Sequence, residues 1–347
     1  LFMTVKVLIV DDSALMRKLF TQLFEKEGFI VQVARNGEEA LTKAVEFEPD
    51  CITLDINMPV MDGMTCLAML KKLYPCPIIM VSSLTQKGAT ITLEALALGA
   101  SDFVLKTGGT VSRDISDLEA PLINKIHALA KTGKPQRPTI KPPPVVTQKV
   151  VRHKTSVPFE VVLVGVSTGG PKKLEHLVAN LSPAFPIPIV ISQHMPASFT
   201  SALAKRLDGI SPLNVVEVNA KMPIKAGNVY LAKGDADLAF SKIGGEVSAR
   251  PVPSSPSFLW HPSVDRMVDS ALNCYKPLSM LCVQLTGMGC DGVAAMSKAF
   301  KEGATTIAES EATSVVFGMP KELIEAGCAS FVLDSPKVAS KLNALCR

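Results

Sequence analysis

Val161-Val162-Leu163-Val164-Gly165-Val166-Ser167-Thr168-Gly169-Gly170 runs an apolar segment of strand length into a glycine-rich turn, with a hydroxyl at the bend. A strand this uniformly apolar belongs to a parallel sheet covered on both faces. The turn leads toward a helix near residues 171–180. Ser167 is thereby expected at the carboxyl edge of a sheet, where N–H groups of the next helix lie close. Exposure and nearby donors are what an acyl-transfer nucleophile needs.

The same alternation extends in both directions. Downstream, residues 187–192, 215–218, 280–285 and 305–308 read as further strands, and 198–207, 263–273 and 293–301 as helices. Segments 228–232, 238–241 and 247–250, with Gly244-Gly245 between the last two, predict a small antiparallel β insertion. Upstream, strands are expected at 5–10, 30–34, 51–54, 77–81 and 103–105. Helices at 14–27, 38–47, 62–73, 87–98 and 116–130 alternate with them, capped by signals such as Ser13 and Gly28. Five such units predict a second parallel α/β sheet. Between the halves lies a proline-rich, basic stretch containing Pro135, Pro138, Pro142-Pro143-Pro144 and Pro158, with no acidic residue between Glu119 and Glu160. Such sequence builds no core and tends to be extended. The expected division is 1–125, a linker over 126–157, and 158–347.

Composition narrows the function classes. The 347 residues are 47% hydrophobic with a formal net charge of +4, which argues against disorder and gives no case for nucleic-acid binding by the whole chain. The eight cysteines form no Cys-x-x-Cys pair and lie mostly in apolar segments, as expected of free thiols in a reducing compartment. No signal-length apolar region follows a basic stretch, and no apolar run is long enough to span a bilayer. The expectation is a cytoplasmic protein without direct membrane insertion.

Asp11 and Asp12 end the first strand, Asp55 the third, Ser82 the fourth and Lys106 the fifth. All lie on one edge of a parallel sheet, where ligands of such sheets sit. Hard carboxylate oxygens suit Mg²⁺, one carboxylate can attack a phosphoryl group, and a hydroxyl and an ammonium can hold the new phosphate oxygens.

The motifs Val10-Asp11-Asp12-Ser13, Leu54-Asp55-Ile56-Asn57-Met58-Pro59, Asp62-Gly63-Met64, Val81-Ser82-Ser83 and Val104-Leu105-Lys106 resemble those of a response-regulator receiver domain. The resemblance covers about residues 4–125. It implies a flavodoxin-like sheet of strand order 2-1-3-4-5 with Asp55 as phosphoacceptor. Asp11, Asp12, Asp55 and the backbone of Asn57 would hold Mg²⁺, Ser82 and Lys106 would sense the phosphate, and Phe103 would occupy an aromatic switch position.

Around Ser167 the candidate base is His194, at a strand end in Gln193-His194-Met195-Pro196. The candidate acid is Asp291, in the glycine-dense loop Thr286-Gly287-Met288-Gly289-Cys290-Asp291-Gly292 after another strand. Thr168, Gly169, Gly170, Met288 and Gly289 are candidate oxyanion donors. An α/β-hydrolase elbow would instead require His261 as base with Asp208, Asp235 or Asp237 as acid. A phosphate-cradling turn is a further alternative, but Gly170-Pro171-Lys172 lacks the Gly-Lys-Ser/Thr of a P-loop.

These motifs together with His261-Pro262-Ser263-Val264-Asp265 resemble the chemotaxis protein-glutamate methylesterase family, CheB, over about residues 158–346. The resemblance implies a Ser167-His194-Asp291 triad, without a cofactor, on a Rossmann-like α/β domain with the small antiparallel insertion. The implied reaction is hydrolysis of γ-glutamyl methyl esters on chemoreceptor cytoplasmic helices, with deamidation of glutamine as a second activity. A chemotaxis histidine kinase would be the phosphodonor. His261 stands where the family usually has arginine, and Cys290 where a polar residue is usual; both put substrate preference in question more than the reaction. The other reading is a response regulator whose output domain binds protein or DNA without catalysis. No compact basic recognition helix supports it.

Overall fold

The computed structural model describes residues 4–83, 85–106, 116–130 and 158–346. Of the linker expected over 126–157, residues 131–157 lie outside the described residues, while 126–130 are helical and extend the last helix of the first unit. The chain forms two compact units, Leu1–Lys141 and Pro142–Arg347.

In the first unit the strands are β1 (Lys6–Val10), β2 (Ile30–Ala34), β3 (Cys51–Asp55), β4 (Ile78–Ser83) and β5 (Asp102–Lys106). They alternate with α1 (Ala14–Lys26), α2 (Gly37–Phe47), α3 (Gly63–Leu73), α4 (Gln86–Leu98) and α5 (Ser116–Ala130). The sheet order is β2-β1-β3-β4-β5 and every pairing is parallel. Side chains of β1 and β3 are buried along nearly their whole length, as strands covered on both faces must be. Ser13, Asn36 and Asp62 each cap a helix through a side-chain oxygen that accepts a backbone N–H of the first turn. The order reverses between β1 and β3, so the crevice at their carboxyl ends is the switch point where such sheets take ligands.

The second unit opens with β6 (Val161–Val166), α6 (Gly170–Ala179), β7 (Ile189–Gln193), α7 (Ala197–Asp208), β8 (Asn214–Val218), β9 (Met222–Pro223) and β10 (Asn228–Ala232). It continues through β11 (Ala236–Ile243), β12 (Glu246–Pro253), α8 (Val264–Leu272), β13 (Met280–Gln284), α9 (Val293–Lys301) and β14 (Thr305–Glu309). It closes with α10 (Met319–Glu325), β15 (Phe331–Leu333) and α11 (Ser335–Leu345). Seven strands form one sheet in the order β15-β14-β13-β6-β7-β10-β8, and β11, β12 and β9 form a small antiparallel sheet.

One strand differs from expectation. Residues 228–232 do not belong to the antiparallel insertion; β10 pairs parallel with both β7 and β8. Val229, Leu231 and Ala232 are fully buried, so burial on both faces decides the pairing against the turn-rich sequence beyond it.

The central strand of this sheet is β6, with β13 on one side and β7 on the other. In register, Gly165 lies between Ser192 and Gln284. One step beyond these ends, Ser167, His194 and the loop after β13 meet at the carboxyl edge. His194 N–H donates to the Val166 carbonyl at 3.2 Å, and Ser167 N–H to the Thr286 carbonyl at 2.9 Å.

Candidate functional site

Ser167 is half-buried at the bend between β6 and α6. Its carbonyl accepts from Gly170 N–H at 2.8 Å and from Gln193 Nε2 at 3.0 Å, so the turn is closed from both sides. A Cβ at Gly170 would lie 2.0 Å from Gln193 Oε1 and 2.6 Å from Val166 Cγ2, so a side chain there would displace Gln193. Gly287 is equally constrained, since a Cβ would lie 2.8 Å from the Cβ of Ser167. Without a side chain at Gly287, the acid loop packs directly against the serine.

Deeper in the fold, Glu309 is fully buried at the end of β14. One of its oxygens accepts Thr286 N–H at 2.8 Å, and the other pairs with Lys173 Nζ of α6 at 3.1 Å. Thr286 Oγ1 in turn donates to the Thr168 carbonyl at 2.9 Å. The buried pair therefore braces the serine turn and the glycine loop together. The sequence carried one sign of it: a carboxylate immediately after an apolar strand.

His194 Nε2 lies 2.7 Å from Asp291 Oδ2. Asp291 also sits at the N-terminus of α8. It accepts from Ser263 Oγ at 3.0 Å, Val264 N–H at 2.7 Å and Asp265 N–H at 3.0 Å. Burial alone would push its carboxyl up, but the His194 hydrogen bond and charge, with the backbone donors, outweigh that and hold it below the ordinary value. An ionised Asp291 is acceptor-only, so Nε2 carries the proton and the lone pair is on Nδ1. His194 Nδ1 is buried and takes no hydrogen bond from the described residues. The ring nitrogen left with an unshared lone pair is thus Nδ1.

Of the candidate oxyanion donors, Gly170 N–H is engaged by the Ser167 carbonyl and is not free to serve. The N–H groups of Thr168, Gly169, Met288 and Gly289 make no hydrogen bond to the described residues. His261 Nδ1 lies 2.8 Å from Asp237 Oδ1, so the alternative base does have an acid partner. Asp237 is buried and shared with Arg266 at 2.7 Å and with Ser263 N–H, which makes it a structural hub. His176 is exposed on α6, and His127 packs on Phe29. Seven of the eight cysteines are buried free thiols; Cys290, beside Asp291, is exposed. Trp260, to which the sequence pattern assigned no role, stacks on His194 with ring centroids 5.6 Å apart and planes at 11°.

In the first unit, Lys106 Nζ lies 3.0 Å from both Asp11 Oδ2 and Asp55 Oδ1. Asp11 and Asp55 are buried and Asp12 is exposed. Burial raises the Asp55 carboxyl above its usual value, and Lys106 offsets part of that. Asp11, Asp12 and Asp55 each present a carboxylate oxygen, all within 4.8 Å of one another. A hard-oxygen set with one solvent-facing member fits Mg²⁺ that keeps several waters. The Asn57 carbonyl accepts no hydrogen bond from the described residues, so its oxygen is available as a ligand. Ser82 Oγ is turned toward α4, accepting from Thr92 Oγ1 at 2.7 Å. Phe103 is buried, with Lys125 Nζ 5.8 Å above its ring.

Comparison with known proteins gives concordant matches. The CheB methylesterase family model matches residues 162–342, and the response regulator receiver domain model matches residues 7–112. A Rhodospirillum rubrum protein named protein-glutamate methylesterase/protein-glutamine glutaminase 3 is 46% identical, over 98% of this chain and 95% of its own. A Carboxydothermus hydrogenoformans protein, named protein-glutamate methylesterase/protein-glutamine glutaminase 2, is 43% identical over 99% of both chains. The crystal structure of the Thermotoga maritima CheB methylesterase catalytic domain superposes with a TM-score of 0.52 at 43% identity, covering 55% of this chain and 100% of that one.

Proposed function

The chain belongs to the CheB methylesterase family, and on that premise we propose that it is a serine esterase that hydrolyses γ-glutamyl methyl esters on the cytoplasmic helices of chemoreceptors. It deamidates receptor glutamine by the same chemistry. The observation that carries this reading is the His194–Asp291 bond at 2.7 Å, which leaves Nδ1 as the free base just beyond β7, the strand that neighbours the one leading into Ser167.

The steps derive from that geometry. Nδ1 of His194 takes the Ser167 Oγ proton as Oγ bonds to the ester carbonyl carbon. The carbonyl electrons move onto oxygen, where N–H groups of Thr168, Gly169, Met288 or Gly289 stabilise the oxyanion. The tetrahedral adduct collapses, the carbon–methoxy bond breaks, and the proton on Nδ1 passes to the leaving oxygen as methanol departs. Water then attacks the acyl-serine, giving its proton to Nδ1; collapse frees glutamate and returns the proton to Ser167. With glutamine the leaving group is ammonia. Asp291 stays ionised throughout, holding Nε2–H and offsetting the imidazolium charge.

In the receiver, Asp55 is the phosphoacceptor and a chemotaxis histidine kinase the donor. Asp11, Asp12, Asp55 and the Asn57 backbone would hold Mg²⁺, which supplies charge neutralisation for phosphoryl oxygens. Lys106 and Ser82 contact the new phosphate, and burial of Phe103 responds to it. Phosphorylation raises esterase activity, in the cytoplasm where receptor helices and kinase meet. The division into receiver, linker and esterase at 1–125, 126–157 and 158–347 is part of this reading.

Methanol release from methylated receptor fragments tests it, with wild type and Ser167→Ala, each with and without a small phosphodonor and Mg²⁺. Release that needs Ser167 and rises with phosphodonor is expected. Release unaffected by Ser167→Ala would overturn the nucleophile assignment.

A further inference from the structure

Trp260 is the only tryptophan of the chain. We infer that it is a positioning residue for the catalytic imidazole, setting the ring plane of His194 and stabilising its protonated form.

Hydrogen bonding restrains His194 at one corner of the ring, where Nε2 meets Asp291 at 2.7 Å. Nδ1 takes no bond from the described residues, so no second hydrogen bond sets the rotation of the ring about that corner. The indole supplies the missing restraint. It lies nearly parallel to the imidazole, at 11° and 5.6 Å between centroids. Rotation of the imidazole out of this plane would re-aim Nδ1 and break the stack. The electronic consequence points the same way. During acylation the imidazole becomes imidazolium while lying over a tryptophan face, the most favourable aromatic partner for a cation.

The indole is itself held from several directions. The next residue, His261, is fixed through Nδ1 by Asp237 at 2.8 Å. Asp237 is anchored in turn by Arg266 at 2.7 Å. The Pro262 carbonyl accepts from Ser192 Oγ at 2.6 Å. Ser192 lies on β7, two residues before His194, so the segment carrying Trp260 and the strand that leads into His194 are bonded directly. On its other edge, Trp260 Nε1 approaches Gly289, where a Cβ would lie 3.6 Å away. The indole therefore reaches from the base to the acid loop. His261, the residue that departs from the family's arginine, serves here as a strap.

The inference rests on the esterase reading, and its test separates the two. The full-length chain, Trp260→Leu and Trp260→Phe are assayed for methanol release, with Ser167→Ala as the background. Trp260→Leu is expected to lower kcat roughly 5- to 30-fold, the rate equivalent of a desolvated cation–π contact, with KM unchanged. Trp260→Phe keeps a ring over the imidazole and is expected to recover most of that loss. A wild-type kcat in Trp260→Leu, a loss confined to KM, or a loss that Phe does not relieve would each overturn it. A second arm needs no turnover: the emission of the sole tryptophan is compared between wild type and His194→Ala. Loss of the stacked, quenching imidazole should brighten it; unchanged emission would refute the stack. If wild type released no methanol, the esterase reading would fail while the emission arm still decided the stack.

Discussion

Asp291→Asn removes one charge while keeping the shape of the side chain. The carboxylate receives four donors: His194 Nε2–H, Ser263 Oγ–H, Val264 N–H and Asp265 N–H. Oδ1 faces Ser263 and Asp265, and Oδ2 faces His194 and Val264. If the amide oxygen takes the Oδ1 position, the NH₂ points at His194 and Val264. The imidazole can accept from that NH₂ only by moving its proton from Nε2 to Nδ1. In the proposed mechanism Nδ1 takes the serine proton, so the ring would stay in place and stop being a base. The charge that stabilises the imidazolium is lost as well. A wrong tautomer of this kind costs about 10⁴-fold in kcat. Val264 N–H meanwhile faces another donor at the buried start of α8, at a cost of about 1–3 kcal/mol. For a unit of this size that lowers the thermal midpoint by roughly 2–12 °C. Single-turnover methanol release and calorimetry of the full-length variant check both numbers. A kcat within about tenfold of wild type would refute the tautomer shift at His194, because no tautomer defect of that kind costs so little.

The remaining predictions concern neighbouring groups. Gly170→Ala places a Cβ 2.0 Å from Gln193 Oε1, so Gln193 must leave the Ser167 carbonyl; kcat should drop on the order of a hundredfold, as for ångström-scale misplacement of a reacting group, and a wild-type kcat would show the turn to be tolerant. Burial holds the Asp55 carboxyl above its usual value, so its contribution to stability is present at low pH and lost as pH rises through the folded value. Asp55→Asn should therefore raise the receiver's thermal midpoint at neutral pH and lose that advantage near pH ~4, and Mg²⁺ should stabilise wild type more than the variant; scans with and without Mg²⁺ decide. Asp291 and Asp237 are both held below the ordinary carboxylate value despite burial, by the His194 and His261 hydrogen bonds and by backbone and Arg266 donors. Their stabilisation is present above the unfolded carboxylate pKa of about 3.9 and fades as pH falls through the lower folded values. Denaturant titrations of the full chain should show the esterase unit weakening below about pH 4, and Asp237→Asn should flatten that decline.

Much of this was legible because chemistry and pattern coincide at strand ends. Asp11, Asp55 and Lys106 each end or adjoin an apolar run, and a parallel sheet has only one edge where such ends can meet. Ser167 and His194 were placed by the same logic, and in register Val166 pairs with Gln193. Three features escaped. Residues 228–232 sit in a turn-dense neighbourhood that masked their burial on both faces. Residues 319–345 had no assigned elements, although Gly318, Pro320 and Pro336 frame two helices with Phe331–Leu333 between them. Trp260 escaped because stacking has no periodicity; a lone tryptophan before His-Pro gives no sign of which ring it will meet.

The position of Asp291 explains why the stack matters. Its charge is shared among three donors at the start of α8 besides the imidazole, and each lowers the negative potential left for His194. The sharing has a benefit: the carboxylate stays ionised and leaves the proton on the ring. It also has a cost, because an anion already well solvated by backbone N–H groups offsets less of the imidazolium charge. Trp260 approaches the same ring through its face, where Asp291 cannot reach, and its contribution grows as the ring becomes charged. The two act on different coordinates of one imidazole, the acid on proton location and the indole on ring plane. Pairing Asp291→Asn with Trp260→Leu tests this division. Once Nδ1 already carries the proton, the ring plane no longer limits proton transfer, so the double variant should be little slower than Asp291→Asn alone. Fully multiplicative losses would mean that Trp260 acts elsewhere than through His194.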